Sequence, residues 1–129
     1  MKPILTFVLI AIFLFVFSGC GNDEPSEVTY KKITAEAAKE LMDSDDSLAI
    51  IDVRTQEEFD TGHIPNAILL PLDTLSDKAS EVLPDKEQRL LIYCRSGNRS
   101  ATAAKQLIEM GYTEVYDFGG IIDWPFDVE

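Results

Sequence analysis

One short segment of the sequence, CRSGNRS (94–100), combines residue types that together support nucleophilic chemistry. Cys94 supplies a thiol, Arg95 and Arg99 supply positive charge, and Gly97 permits the positive φ that lets successive backbone N–H groups converge. The segment joins a strand-forming run to a helical pattern, so the helix N-terminus adds free N–H groups and the positive end of its dipole. Because all of these features stabilise an anion, we predict that Cys94 is a nucleophilic thiolate near neutral pH.

The alternative interpretation of Cys94 is a small buried core residue, since cysteine is among the residue types most often buried. Its position at the end of a strand, among polar neighbours, favours the nucleophile. Four residues separate Cys94 from Arg99, whereas cysteine phosphatases use a Cys-x5-Arg loop that wraps a phosphate. The shorter loop encloses less volume and suits an extra sulfur atom on the thiolate. Phosphatase or arsenate reductase activity therefore stays open only as a minor alternative.

The elements that must position this loop alternate between strands and helices. Apolar, β-prone runs are expected to form strands at 30–33, 48–53, 67–70, 89–93 and 113–118. Helical patterns lie between them at 34–44, 73–83 and 100–111, and a capping box at Thr55 and Glu58 begins a further helix that Gly62 ends. This alternation predicts an α/β three-layer sandwich, with a five-stranded, mostly parallel sheet flanked by helices. Ligands of such sheets bind at the carboxyl ends of the strands, where Cys94 lies.

Composition limits the classes of function that the chain can have. Its 129 residues are enough for one domain with a short extension, and 46% hydrophobic residues allow a core. The formal charge of −12 argues against nucleic-acid binding, because no basic stripe is available to neutralise phosphates. A metal site is not expected, since one histidine and one free cysteine cannot supply a closed ligand set. No cofactor is expected either.

The first residues differ from the rest of the chain. An apolar run at 4–17 has the length of a signal-peptide core rather than of a membrane-spanning helix, and Ser18 and Gly19 then lead into Cys20. Residues 1–19 resemble a bacterial lipoprotein signal, although Phe17 stands where Leu is usual. An ordinary secretory signal and an uncleaved anchor are the alternatives.

The lipoprotein interpretation divides the chain into three parts. Residues 1–19 are a signal peptide, 20–28 are a lipidated Cys20 and flexible tether, and 29–129 are the folded domain. Such a protein is held by its acyl chains in the bacterial cell envelope, facing the periplasm or the exterior. A disulfide between Cys20 and Cys94 is the alternative for an exported chain, but the two cysteines are expected to serve separate purposes.

Three segments together resemble the rhodanese family of sulfurtransferases. CRSGNRS (94–100) is similar to the family's active-site loop, IIDVRTQEEFDTGHIPNAI (50–68) to its Asp-x-Arg and Gly-His-Ile-Pro-x-Ala segments, and YDFGGIIDW (116–124) to its closing Gly-Gly and Trp segment. The resemblance runs from about residue 29 to 124 in a single copy. It implies a single-domain rhodanese with a thiosulfate sulfurtransferase-like activity.

The resemblance also implies a mechanism. Cys94 would attack the outer sulfur of a donor such as thiosulfate and become a persulfide, and a thiol or cyanide would then collect that sulfur. The backbone N–H groups of residues 95–100 would hold the persulfide, and Arg95 and Arg99 would bind the oxyanion end of the donor. Gly97 and Asn98 would shape the loop. Ser96 would either tune the sulfur through its hydroxyl group or serve turn geometry alone, and Ser100 completes the expected substrate-binding set.

Other residues are expected to support the loop from outside it. Asp52 would accept loop hydrogen bonds, and Arg54 would pair with Glu57 or Glu58 to fix the following helix. His63 is weighed as a general base, but its position before Ile-Pro favours a structural role. Trp124 is predicted to be a packing residue that closes the C-terminal edge.

Two function classes stay open from the sequence. The chain is either a sulfurtransferase that turns over a small donor and a thiol, or a non-catalytic persulfide carrier that serves a partner protein. The large negative charge favours a basic protein partner and slows the approach of thiosulfate.

Overall fold

The computed structural model describes residues 27–129, which form one α/β domain with five strands and four α-helices. The elements are β1 Lys31–Lys32, α1 Ala35–Ser44, β2 Ala49–Asp52, α2 Gln56–Asp60, β3 Ile68–Leu69, α3 Leu75–Val82, β4 Leu90–Cys94, α4 Asn98–Glu109 and β5 Val115–Gly120. Two single 3₁₀ turns, Leu72–Thr74 and Ile121–Asp123, precede α3 and follow β5. The predicted elements are all present, and most strands are one or two residues shorter at their ends than predicted.

The five strands form one sheet in the order β1-β5-β4-β2-β3, and each neighbouring pair is parallel. The strand β4 therefore lies in the middle, with hydrogen-bonded neighbours on both sides. All five of its residues are buried, as expected for a strand covered on both faces. The predicted sandwich with a parallel central sheet is confirmed, and Cys94 ends its central strand.

Alternate residues of the central strands point to two separate apolar cores. Ile51, Ile92 and Cys94 join the core that contains side chains of α3 and α4. Ile50 and Tyr93 join the core on the opposite face, together with Ala38 of α1. Because side chains of a strand alternate between the faces of a sheet, this division also decides which side chains at the sheet edge can meet Cys94.

The first two helices begin as the sequence predicts. The Thr34 hydroxyl accepts the Ala37 N–H at 3.1 Å, which satisfies one of the unpaired donors of α1. In α2 the Thr55 hydroxyl accepts the Glu58 N–H at 3.2 Å, and the Glu58 carboxylate reaches back to the Thr55 N–H at 3.5 Å. This capping box fixes the start of α2 and so places Glu58 beside the sheet edge.

A buried polar network ties β4 to β2 on the α1 face. The Tyr93 hydroxyl donates to Asp52 Oδ2 at 2.7 Å and accepts the Ile64 N–H at 3.1 Å. Arg54 closes the network with bonds of 3.0 Å and 2.7 Å from its side chain to the Asp52 carboxylate. Burial, and the bond to Asp52, raise the pKa of Tyr93, so its hydroxyl stays protonated and continues to donate.

We predict that Tyr93→Phe destabilises the fold by about 2 kcal/mol, because it leaves the buried Ile64 N–H without a partner. The free energy of unfolding in urea measures the effect. Tyr116→Phe is the matched control, since its hydroxyl bonds to the Glu114 side chain in a partly exposed setting. We expect that control to change stability by less than about 0.5 kcal/mol. Equal losses in the two variants would contradict the role given to the network.

No helix in the part of the chain from 27 to 129 is long and apolar enough to span a membrane. The signal peptide predicted at 1–19, the lipidated Cys20 and most of the predicted tether lie outside the described residues.

Candidate active site

Cys94 lies at the carboxyl end of the central strand and is 1% exposed. The Gly97 N–H donates to Cys94 Sγ at 2.9 Å, a short distance for a bond to sulfur. The Ser100 Oγ is 3.6 Å from the same sulfur. Burial removes water from around the sulfur and strengthens these contacts. The sulfur therefore lies in a small buried pocket beside one backbone N–H group and one hydroxyl group.

The loop holds the sulfur because it turns directly into α4. Gly97 has φ +104° and is the N-cap of this helix, and an L side chain rarely adopts that conformation. The helix begins at Asn98, two residues earlier than the sequence predicted. The N–H groups of residues 98–100 thus belong to the first helical turn, where they have no partner within the helix. The positive end of the α4 dipole falls on the loop.

A hydroxyl group does lie beside the sulfur, but it belongs to Ser100 rather than Ser96. Ser100 is fully buried, and its Oγ also lies 3.0 Å from the Gly97 carbonyl and 3.4 Å from the Gly119 carbonyl. Ser96 is exposed. Tuning of the sulfur by Ser96 stays a prediction, and the hydroxyl group nearest the sulfur is that of Ser100, which accepts from the thiol. The sequence signal for the closeness of Ser100 to the sulfur is its position in the first turn of α4, because this turn faces Cys94.

The end of β5 packs against the backbone of the Cys94 loop. The sequence analysis did not name a residue of β5 as part of the site. A Cβ atom at Gly120 would overlap the Arg95 carbonyl oxygen and lie 2.7 Å from Ser96 Cα. The same Arg95 carbonyl accepts the Ile122 N–H at 3.2 Å. Only glycine fits at position 120 while the loop keeps this path, so the Gly-Gly pair of the sequence is part of the site.

Arg99 is paired with a carboxylate. Its guanidinium makes two parallel bonds to Glu58, at 2.6 Å and 2.9 Å, so the α4 end of the loop is joined to α2 by a bidentate pair. These bonds lower the pKa of Glu58 from 4.5 to about 2. Donor binding by Arg99 stays a prediction, but the charge that Arg99 brings to the site is compensated by Glu58.

The Arg99–Glu58 pair predicts a pH dependence of stability. The pKa of Glu58 is lower in the folded chain than in the unfolded one, so the pair stabilises the fold above pH 4.5 and loses this effect as the pH falls towards about 2. The difference in unfolding free energy between wild type and Glu58→Gln should therefore be largest at neutral pH and shrink below pH 4.5. Urea titrations at several pH values measure it. A difference that stays constant down to pH 2 would contradict the assignment.

Two predictions about the supporting residues were wrong. Arg54 does not pair with Glu57 or Glu58, because its side chain binds Asp52 and donates to the Gly62 carbonyl at 2.7 Å. Asp52 accepts bonds from Arg54 and the Tyr93 hydroxyl, and none from the Cys94 loop. The physical reason is strand alternation: the Asp52 carboxylate bonds to Tyr93, and Tyr93 lies in the core on the opposite face of the sheet from Cys94.

The remaining loop residues are exposed. Arg95 makes no ion pair within residues 27–129, and Asn98 contributes its carbonyl to the Thr102 hydroxyl at 3.2 Å. Binding of the donor by Arg95 stays a prediction, and its exposed side chain is compatible with it.

Two further residues considered in the sequence have packing contacts. His63 stacks on Phe59 with ring centroids 3.8 Å apart, and its Nε2 lies 3.5 Å from Glu129. The Trp124 ring packs between Phe118 and Phe126, as predicted for a packing residue. Among the residues from 27 onward, no three His, Cys, Asp or Glu side chains come together as metal ligands would.

Comparison with known proteins finds similarity over a region that includes all three segments singled out in the sequence. The sequence model of the family described as "Rhodanese-like domain" matches residues 34–125. The chain is 33% identical over 116 residues to YrkF of Bacillus subtilis, whose name gives it as a candidate sulfur carrier protein. The match covers 89% of this chain but only 62% of YrkF, so the chain spans about three fifths of that relative's length.

A second relative and a solved structure match over most of their own lengths. The thiosulfate sulfurtransferase GlpE of Coxiella burnetii is 38% identical over 96 residues, which are 74% of this chain and 87% of GlpE. A structure described as a rhodanese with anions from E. coli superposes with a TM-score of 0.60 at 34% identity. That superposition covers 63% of this chain and 95% of the other.

Proposed function

The chain belongs to the rhodanese-like domain family, and on that premise we propose that it is a sulfurtransferase that moves a sulfane sulfur from a donor such as thiosulfate to a thiol or cyanide acceptor through a persulfide on Cys94. The observation that carries the proposal is the sulfur pocket, in which the Gly97 N–H bonds to Cys94 Sγ at the N-terminus of α4. The relative named as a thiosulfate sulfurtransferase and the rhodanese structure described with anions support it.

The first step forms the persulfide. The Cys94 thiolate attacks the outer sulfur of the donor, a new S–S bond forms, and the old S–S bond breaks with its electron pair on the leaving group. Thiosulfate thus yields Cys94–S–S⁻ and sulfite, and the charges balance. The Gly97 N–H and the free N–H groups of residues 98–100 offer hydrogen bonds to the negative terminal sulfur.

The second step returns the enzyme to its starting state. An acceptor thiolate or cyanide attacks the terminal sulfur of the persulfide, and Cys94 leaves as a thiolate. The same N–H groups stabilise this leaving thiolate, because the negative charge again falls on Sγ. One anion pocket therefore serves both half-reactions, and no general base is required for a thiolate nucleophile.

A non-catalytic sulfur carrier is the second candidate. The net charge of −12 and the similarity to a protein named as a candidate sulfur carrier favour it. An acidic surface suits a basic protein partner and slows the approach of anionic donors. The carrier would use the same Cys94 persulfide, so only the rates separate the two candidates.

A comparison of loading with turnover tests the proposal. The protein is mixed with thiosulfate, and sulfite release is measured first without an acceptor and then with excess cyanide. We expect a stoichiometric burst of sulfite followed by many turnovers of thiocyanate per Cys94. A burst with no further turnover, even with cyanide, would mean that the protein is a sulfur carrier rather than an enzyme. Absence of the burst would contradict persulfide chemistry on thiosulfate altogether.

We also propose that Cys20 carries the lipid anchor and that the domain faces the periplasm or the exterior of a bacterial cell. The leader pattern of residues 1–19 supports this. Labelling cells with a palmitate analogue should mark the wild type and leave Cys20→Ala unlabelled. Label on both proteins, or on neither, would contradict the anchor.

A further inference from the structure

One buried carboxyl group close to the Cys94 loop has no part in either step of the proposed reaction. It belongs to Asp117 of β5, which is 3% exposed and pairs with Ile92 of β4. The Ile92 side chain lies in the core that contains Cys94. Asp117 also lines a cavity of about 270 Å³ whose other walls include loop residues 96–98 and Ala101 of α4. Asp117 therefore lies on the face of the sheet that carries the sulfur.

Asp117 has few polar partners for a buried carboxyl group. Within residues 27–129 no cationic side chain forms an ion pair with it, not even that of Lys32, its neighbour in register on β1. The Gly119 N–H donates to its Oδ1 at 2.9 Å. Because burial of a carboxyl group is costly unless it is well paired, an apolar side chain at this position would favour stability. Stability therefore does not explain a carboxyl group here.

The bond between Asp117 and Gly119 spans a bulge in β5. Asp117 pairs with Ile92 of β4. The next pair joins Gly120 to Cys94, so β5 has two residues between the pairs where β4 has one. Gly119 takes up the extra residue with φ +90°, a conformation that L side chains rarely adopt. Because a bulge changes the placement of the residues that follow it, this one decides that Gly120, rather than Gly119, lies opposite Cys94.

Both glycines at the end of this bulge contact the Cys94 loop. Gly120 lies so close to the backbone of residues 95–96 that no side chain fits between them. The Gly119 carbonyl lies 3.4 Å from Ser100 Oγ, which in turn is 3.6 Å from Cys94 Sγ. Two lines of contact therefore run from the bulge to the loop, one through backbone packing and one through a hydroxyl group.

We propose that Asp117 is a positioning residue for sulfur transfer, because its bond to the Gly119 N–H fixes the bulge that holds the loop and Ser100 in place around Cys94. The inference rests on the proposed sulfurtransferase function and adds to it a residue that touches neither donor nor acceptor. Without this bond the Gly119 peptide is free to turn, and its contacts with the loop change. The loop then presents its N–H groups to the sulfur in a displaced geometry, so transfer slows while the fold persists.

The test compares two exchanges at the same position, with thiosulfate as donor and cyanide as acceptor. Asp117→Ala removes the acceptor of the Gly119 N–H, and should lower kcat/KM per folded molecule by about ten- to hundredfold, as a small displacement of a catalytic loop does. Asp117→Asn keeps an oxygen that can accept the same bond, and should stay within about threefold of wild type. Urea unfolding of each variant gives the folded fraction.

Two further variants separate positioning from stability. Asp117→Leu places an apolar side chain in the apolar core, with room in the adjoining cavity. It should unfold at the same urea concentration as wild type or a higher one, and still lose as much activity as Asp117→Ala. Asp85→Ala is the matched control, because Asp85 Oδ1 accepts the Glu87 N–H at the same 2.9 Å, but before β4, at the edge of the sheet opposite Cys94. This control should keep the kcat/KM of wild type.

Full activity in Asp117→Ala or Asp117→Leu would overturn the inference and leave sulfur transfer in place. Equal losses in Asp117→Asn and Asp117→Ala, or an equal loss in Asp85→Ala, would do the same, since the bond to Gly119 would then not be the cause. Failure of both Asp117→Ala and Asp117→Leu to fold would also overturn it, because Asp117 would then serve stability. If wild type forms no thiocyanate, the proposed function itself fails, and this inference fails with it.

Discussion

Cys94→Ser is expected to abolish sulfur transfer, with a fall in kcat of at least about a thousandfold. A serine hydroxyl at the end of β4 stays protonated near neutral pH and cannot form a persulfide, although the Gly97 N–H that holds the sulfur is still present. The exchange replaces one atom in a buried position, so the fold should persist. Thiocyanate formation from thiosulfate, with cyanide as acceptor, measures the loss.

The chain provides its own control for this exchange. Cys20→Ser changes the only other cysteine of the sequence in the same way, and should retain wild-type turnover per molecule. Matching urea transitions for wild type and Cys94→Ser would show that the loss is chemical. Residual turnover in Cys94→Ser within tenfold of wild type would mean that the sulfur does not pass through this thiol.

Gly120→Ala is expected to lower kcat/KM by about a hundredfold or more, although the changed residue contacts no substrate. The added methyl group overlaps the Arg95 carbonyl and lies 2.7 Å from Ser96 Cα. Both partners are backbone atoms that cannot rotate away, so the loop must shift. A displacement of about 1 Å in a catalytic loop can cost about a hundredfold in rate. Steady-state kinetics with thiosulfate as donor and cyanide as acceptor measure the effect.

Gly111→Ala is the control that separates displacement of the Cys94 loop from the general cost of replacing a glycine. Gly111 has φ +98° at the end of α4, and no other atom lies within 4 Å of its added Cβ. This variant should lose stability by about 1 kcal/mol through strain and keep its activity once folded. Gly120 has an ordinary φ of −117°, so its substitution acts through the loop alone. If Gly120→Ala is as active as Gly111→Ala, β5 does not set the path of the loop.

Much of the fold followed from local sequence signals. The alternation of apolar runs with helical patterns predicted a mostly parallel central sheet, and the capping box of Thr55 and Glu58 predicted the start of α2. The placement of the Cys94 sulfur beside Gly97 and a helix N-terminus also followed, because the strand end, Gly97 and the helix N-terminus are consecutive in the chain. These features depend on neighbours in sequence, and a single sequence displays them directly.

The features that the sequence did not predict depend on which strands are adjacent. The Arg99–Glu58 pair joins residues 41 positions apart. The sequence analysis instead paired Glu58 with the nearer Arg54 and assigned Arg99 to the donor. The face of the sheet that Asp52 occupies depends on the β2–β4 register, in which Asp52 pairs with Tyr93. With that register known, the alternation of side chains along a strand places Asp52 on the opposite face from Cys94. The fit of Gly120 against the loop depends on the β4–β5 pairing, which includes a register shift next to Cys94.

Mass analysis of the peptide that contains Cys94, after exposure of the protein to thiosulfate, tests the central claim most directly. The account predicts that this peptide gains the mass of one sulfur atom, that a thiol or cyanide removes the gain, and that Cys94→Ser shows none. An unchanged Cys94 peptide beside measurable thiocyanate formation would contradict the account, because sulfur would then be transferred without the persulfide that the loop is built to hold.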